Sequence, residues 1–237
     1  MGRIRLVRHG QASFLAEDYD RLSETGMRQS VALGAWLRRT GQDADLVLRG
    51  SLRRHRETAE ACLAAWKPEE GRPVETVEDA AFDEFDHLDV LGALRPELRA
   101  PGALAAFLRG QDDPRRAFQA LFVRSLERWT AGGHGGHGGD YRESWTAFRE
   151  RCAAGLRRAI ERAPSGSVWV FTSGGPVAVA CQQVLGLSDR GTLDLNAVIA
   201  NTGVTTLLHG RGRLSLGSFN ATGHLEAACD AGLLTLR

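Results

Sequence analysis

Three consecutive residues near the start of the chain, Arg8, His9 and Gly10, combine a cation, an imidazole and a flexible backbone position. A neutral imidazole is a competent nucleophile toward phosphorus and needs no metal ion for that role. A guanidinium group neutralises phosphoryl oxygens and matches their geometry, and Arg53 and Arg54 supply further guanidinium groups. These residue types together favour phosphoryl-transfer chemistry over a purely structural His–Arg pair.

Short apolar runs that predict strands lead into these polar residues. Residues 3–7 run into Arg8, residues 43–51 precede Arg54, and residues 165–176 contain Ser173 near their end. Helical patterns follow each run, which favours a parallel sheet with helices on both faces. Because ligands bind at the carboxyl ends of such strands, we expect one pocket to collect these side chains.

The helical patterns begin after Ser23 and at residue 52, Pro176 suits the first turn of a third helix, and the middle of the chain is helical as well. Residues 131–140 are rich in glycine and predict a loop, and residues 204–219 predict a hairpin. We therefore expect a single α/β domain over residues 1–237, with a helical insertion at roughly 92–150.

Composition is that of an ordinary globular protein, with 43% hydrophobic residues, 25% charged residues and a formal net charge of +1. Such a balance gives no argument for nucleic acid or a membrane as partner. The four cysteines are far apart in sequence, and the N-terminus lacks the apolar run of a signal peptide. We expect reduced thiols and a cytoplasmic location. The sequence leaves open whether the protein forms a homodimer.

The segment "LVRHGQAS" (6–13) resembles the signature of the histidine phosphatase superfamily, in its phosphoglycerate-mutase-like, RHG-motif branch. Further segments resemble that family in the same order: "RLSETGMRQS" (21–30), "RRHRETAE" (53–60), "FDEFDHLD" (82–89) and, more loosely, "RESWTAFRERC" (142–152) and "SFNATGHLE" (218–226). The resemblance spans nearly the whole chain. It implies a three-layer α/β/α sandwich on a mostly parallel sheet.

The resemblance also implies roles for the residues that match the family's motifs. His9 would be the nucleophile that becomes phosphorylated, Arg8 and Arg54 would clamp the phosphoryl oxygens, and Glu84 would protonate the leaving oxygen. It implies no cofactor and no metal ion. The substrate-binding residues that we expect are Gln11, Ser13, Ser173, Gly174 and His87.

Ser173 departs from the family pattern, which places a second histidine at this position. Loss of that charge-assisted contact would cost about 1.5–3 kcal/mol. His87, three residues beyond Glu84, is one candidate to replace it, although a surface or capping role for His87 explains the sequence equally well. We expect His55 to be a helix-surface or packing residue.

Three functions fit these residues. The first is a metal-independent phosphatase that hydrolyses a phosphomonoester, carried by a small molecule or a macromolecule, through a phosphohistidine on His9. The second is a phosphoglycerate-mutase-like phosphoryl transferase. The third is a catalytically weak protein that binds a phosphorylated ligand. His134 and His137, in the glycine-rich segment, have no further ligand nearby in sequence, and we expect no metal site there.

Overall fold

The chain folds around a mixed sheet that carries the strand ends singled out above. The computed structural model describes residues 1–13, 20–67, 74–135 and 140–236. Its strands are β1 (Gly2–Arg8), β2 (Leu46–Arg49), β3 (Glu75–Glu78), β4 (Ser167–Thr172), β5 (Val204–Gly210) and β6 (Arg213–Ala221). Their order is β3-β2-β4-β1-β5-β6. The pairs among β1 to β4 are parallel, and β5 and β6 are antiparallel additions, so the predicted mostly parallel sheet is confirmed.

The described residues also contain α-helices. In chain order they are α1 (Glu24–Arg39), α2 (Arg53–Trp66), α3 (His87–Leu94), α4 (Ala103–Arg109), α5 (Pro114–Gly135), α6 (Trp145–Arg162), α7 (Gly174–Leu185), α8 (Asp189–Ala197) and α9 (Gly223–Glu226). Ser23 caps α1, because its side chain accepts the N–H of Gly26, as the sequence predicts. Within the described residues, no helix combines the length and the apolar character that a bilayer crossing requires.

Alternating strand residues separate two apolar layers. One sheet face, with Ile4 and Val170, packs with residues of α6 and α7 such as Leu156 and Val177. The opposite face packs with α1 and α2, through the residues Val7, Val47, Trp169, Phe171, Leu33, Leu37, Ala59 and Cys62. Strands covered on both faces hold apolar residues at successive positions, which is why these runs are almost continuously hydrophobic. The three-layer α/β/α arrangement follows from this packing.

The chain divides into two compact units, one formed by Met1–Glu84 with Arg151–Arg237 and the other by Phe85–Glu150. The second unit contains α3, α4 and α5, with an apolar cluster around Leu91, Leu98 and Leu121.

One predicted boundary, the start of the glycine-rich loop, differs from the structure. Helix α5 continues to Gly135, so the loop predicted from residue 131 is wrong for residues 131–135, while residues 136–139 lie outside the described part. A helix that has already formed gains one hydrogen bond for each residue it adds, which offsets the low helix propensity of glycine. Helix α7 begins at Gly174, so Pro176 lies in its first turn, as the sequence predicts.

Candidate active site

His9 leaves the sheet directly after β1 and is held with a defined tautomer. Its backbone N–H donates to the carbonyl of Thr172 at 2.8 Å, which ties it to the end of β4. Its ring Nδ1 lies 2.7 Å from the carbonyl oxygen of Gly10. Because a carbonyl oxygen only accepts, Nδ1 must carry the proton, and the lone pair of the neutral ring is then on Nε2. The local geometry thus fixes Nε2 as the unprotonated ring nitrogen of neutral His9.

The surroundings of His9 keep its ring neutral. The side chain is almost wholly buried, and that burial lowers the pKa of His9 well below its ordinary value. The guanidinium groups of Arg54 and Arg8 lower it further, followed by the neighbouring imidazole of His55. A histidine in this setting is unprotonated at neutral pH, which is the form that attacks phosphorus.

A buried hydrogen-bond network fixes the backbone of the His9 segment. The side-chain amide of Asn201 donates to the carbonyl of His9 at 3.1 Å, and the N–H of Thr202 reaches the carbonyls of Arg8 and His9. The hydroxyl of Thr202 contacts Nε2 of His224 at 2.8 Å. Sequence reasoning missed the positioning roles of Asn201, Thr202 and His224, since their partners are distant in sequence.

Gly10 and Gly26 allow the His9 segment to lie against the start of α1. A Cβ on Gly10 would stand 2.5 Å from the carbonyl oxygen of Gly26, and a Cβ on Gly26 would stand 2.2 Å from that of Gln11. The amide oxygen of Gln11 also accepts the hydroxyl of Ser23 at 2.9 Å. Gln11 therefore joins the strand end to the helix start. Ser13 donates its backbone N–H to the carbonyl of Arg21 at 2.9 Å.

The two predicted phosphate clamps are held by protein acceptors in this structure. The guanidinium of Arg8 donates to the carbonyls of Ile199 and, at 2.6 Å, Leu236. Arg54 donates to the carboxylate of Asp20 at 2.6 Å, and only 11% of its side chain is exposed. A guanidinium group has five N–H donors in a fixed plane, so such contacts orient it.

Glu84 and the start of α7 lie together at the end of β4. The Glu84 carboxylate accepts the N–H of Gly175 at 3.1 Å, in the first turn of the helix. Ser173, wholly buried, is the residue that precedes the helix. Gly174 has no room for a side chain, because a Cβ there would lie 2.2 Å from the amide oxygen of Asn196. The positive end of the α7 dipole thus adds to the guanidinium groups around His9.

The sequence left either a helix-surface or a packing position open for His55, and the structure shows the buried one. It is wholly buried, and the centroid of its ring is 5.8 Å from that of His9. Its Nε2 is 2.7 Å from the hydroxyl oxygen of Ser173, and its Nδ1 is 3.6 Å from a carboxylate oxygen of Asp83. The sequence held a signal for this, since His55 shares helical spacing with the buried residues of α2, which are Thr58, Ala59, Cys62 and Trp66.

His87 begins α3, in the unit formed by Phe85–Glu150, directly after the capping residue Asp86. Its part in substrate binding stays a prediction. Within the described residues there is no group of three or more side chains suited to hold a metal ion. The side chains of His134 and His137 lie outside those residues.

Comparisons with known proteins agree with this arrangement. The chain is similar in fold to a phosphoglycerate mutase from Bacillus anthracis str. Sterne, with a TM-score of 0.67, 17% identity and 96% of each chain covered. A phosphoserine phosphatase from Entamoeba histolytica in complex with phosphoserine gives a TM-score of 0.62 at 16% identity, over 95% of this chain and 100% of that one. An alpha-ribazole phosphatase from Shigella flexneri gives a TM-score of 0.61 at 15% identity, over 92% of this chain and 96% of that one.

No curated protein matches by sequence. The family model of the histidine phosphatase superfamily (branch 1) matches residues 4–222. That match includes strands β2 to β6, all but the first two residues of β1, and the site residues His9, Arg54 and Ser173. The chain therefore belongs to branch 1 of the histidine phosphatase superfamily.

Proposed function

We propose that the protein is a metal-independent phosphatase that hydrolyses a phosphomonoester through a phosphohistidine on His9. The observation that carries this proposal is the ring of His9, buried and neutral, with Nδ1 held by the Gly10 carbonyl and the lone pair on Nε2. A site that only bound a phosphorylated ligand would gain more from a protonated histidine than from a neutral one.

The reaction then has two steps. In the first, Nε2 of His9 forms a bond to phosphorus, the ester P–O bond breaks, and Glu84 gives its proton to the leaving oxygen. In the second, a water molecule attacks phosphorus while Glu84 takes a proton from it, and the N–P bond breaks with its electron pair returning to His9. Arg8 and Arg54 neutralise the phosphoryl oxygens in both steps, which is the main demand of phosphoryl transfer.

A phosphorylated small molecule is the substrate class that we favour. The phosphoserine phosphatase from Entamoeba histolytica is described in complex with phosphoserine in one structure and with 3-phosphoglyceric acid in another. The same fold includes a phosphoglycerate mutase, so a mutase is the second candidate. The two differ in products, because a phosphatase releases one orthophosphate in each turnover and a mutase returns the phosphoryl group to an organic oxygen.

The test is orthophosphate release from a generic aryl phosphate in the presence of a chelator. The variant His9→Asn places an amide N–H where Nδ1–H stood, so it retains the contact with Gly10 and loses the nucleophile. We expect kcat to fall about 10³-fold or more. The matched control is His209→Asn, a buried histidine that pairs with Gly2 at the opposite end of β1. Equal activity of His9→Asn and the control would refute the proposal.

A further inference from the structure

Three side chains next to His9 form a continuous line of polar contacts. Asp83 lies against Nδ1 of His55 at 3.6 Å, and Nε2 of His55 lies 2.7 Å from the hydroxyl of Ser173. His55 and Ser173 are wholly buried. Ser173 directly follows Thr172, whose carbonyl accepts the N–H of His9. We call Asp83, His55 and Ser173 the proton chain.

The backbone around β2 makes room for this chain and fixes its acidic end. A Cβ on Gly50 would lie 2.2 Å from Nδ1 of His55 and 2.5 Å from the Asp83 carboxylate, so only glycine leaves space for the pair. The backbone N–H of Ser51 donates to Asp83 at 2.6 Å, and its hydroxyl donates to the other oxygen of the same carboxylate. A carboxylate with two such donors is held ionised and oriented toward His55.

Burial raises the pKa of Asp83, but the adjacent ring of His55 and the hydrogen bonds from Ser51 outweigh it, and the net pKa is lowered. An ionised carboxylate only accepts, so it favours a proton on Nδ1 of His55. The neutral ring then has its lone pair on Nε2 and accepts the hydroxyl proton of Ser173. In that state Ser173 has no proton to give to a phosphoryl oxygen. When His55 binds a second proton, Nε2–H becomes the donor and the Ser173 oxygen becomes the acceptor. The Ser173 hydroxyl can then donate its own proton to another acceptor.

We propose, on the basis of the phosphatase function proposed above, that the proton chain delivers positive charge to the phosphoryl group through Ser173. When a tetrahedral dianion occupies the site, His55 takes one proton from solvent and Nε2–H donates to the Ser173 oxygen. The Ser173 hydroxyl then donates to an oxygen of the dianion. No bond to phosphorus changes in this step, and the proton stays on His55. His55 is thus a positioning residue that acts through Ser173.

The charges that face His55 determine under which conditions its ring binds the second proton. Burial lowers the pKa of His55 in the free protein, and the guanidinium of Arg54 lowers it as well. Asp83 and Asp20 raise it, and His9 faces it across the site as a neutral ring. A bound dianion adds negative charge beside Ser173, so it shifts the balance toward the protonated ring. Ligand binding and proton uptake are therefore linked.

Calorimetric titration with sulfate tests this linkage without turnover. Sulfate is a tetrahedral dianion that does not titrate near neutral pH, so any proton taken up binds to the protein. The binding enthalpy is measured at about pH 7.5 in buffers of different ionisation enthalpy, which yields the protons taken up for each sulfate bound. We expect uptake in the wild-type protein, retention of that uptake in His9→Asn, and its loss in His55→Gln.

Ser173→Ala provides a second variant that removes a single hydroxyl group and leaves the buried ring in place. It removes the acceptor of the Nε2 proton, so we expect it to bind sulfate with little proton uptake. If His55→Gln or Ser173→Ala takes up as many protons as the wild-type protein, the proposal is overturned. It is equally overturned if His9→Asn loses the uptake, because His9 is then the group that titrates.

The pH profile of kcat separates this role from simple packing. In the substrate complex activity requires protonated His55, so kcat falls as pH rises through the pKa of His55. Asp83→Asn removes the carboxylate that favours the proton, and we expect this basic limb to move to lower pH. An unmoved limb in a folded Asp83→Asn protein would contradict the proposal. If His9→Asn loses turnover but takes up the normal number of protons on sulfate binding, the role proposed for the proton chain is supported. If that variant retains turnover, only the phosphohistidine on His9 is refuted.

Discussion

Acidification should destabilise the fold through His224, which supports the backbone of the His9 segment. His224 is 2% exposed, and burial lowers its pKa to about 4. In the unfolded chain its pKa returns to about 6.5. The pKa of His224 is lower in the folded protein than in the unfolded chain. Its neutral ring therefore makes its full contribution to the free energy of unfolding above about pH 6.5, and that contribution is lost as the pH falls toward 4. Between about pH 7.5 and pH 5, linkage gives a loss of about 2 kcal/mol from this one group.

The assay is urea unfolding at a series of pH values for the wild-type protein and for His224→Gln. The hydroxyl of Thr202 donates to the carbonyl of Asn201, so its oxygen accepts Nε2–H of His224. Glutamine can place an amide N–H at that position but does not titrate. Other buried histidines titrate in both proteins, so the difference between the two proteins isolates His224. We expect the variant to lose about 2 kcal/mol less than the wild-type protein over this range. Equal pH dependence in the two proteins would refute the assignment of a buried neutral ring.

Three further changes follow from the same contacts. Gly50→Ala places a Cβ within 2.5 Å of the Asp83 carboxylate, so we expect it to lower the free energy of unfolding by about 1–3 kcal/mol, measured by urea unfolding. Gly223→Ala is its control, because a Cβ there meets nothing within 4 Å. Asn201→Ala removes a donor to the carbonyl of His9, and we expect a loss of about 1–3 kcal/mol in the same assay. Arg54→Lys replaces a planar fork with a point charge, and we expect kcat/KM for an aryl phosphate to fall about 10-fold or more. Unchanged values in any of these variants would contradict the role given to that residue.

The strands that lead to Arg8 and Ser173 could be predicted from sequence because apolar runs of that length report burial on both faces. The position of His9 at a strand end followed from the same pattern. The ordered motifs added Arg54 and Glu84 through a family resemblance that composition alone would not provide. These predictions depended on apolar runs and short motifs, each of which lies within a few consecutive residues.

The partners of His9 depended on contacts between distant segments. Asn201 and Thr202 lie in a turn whose residues show no periodicity, and their carbonyl acceptors are Arg8 at the end of β1 and His9 directly after it. The sequence left His55 open between a helix-surface and a packing position, because a histidine in an arginine-rich segment also suits an exposed helix face. The buried spacing that it shares with Thr58 and Cys62 was the better guide.

The central claim is the phosphohistidine on His9, and trapping it is the most direct measurement. The wild-type protein is mixed with an aryl phosphate and quenched in alkali, where a phosphohistidine survives, and its peptides are then examined by mass spectrometry. The account predicts one phosphoryl group on the peptide that contains His9, present also in His209→Asn and absent in His9→Asn. Turnover with the phosphoryl group on another residue, such as Ser173, or with no phosphorylated peptide at all, would contradict it.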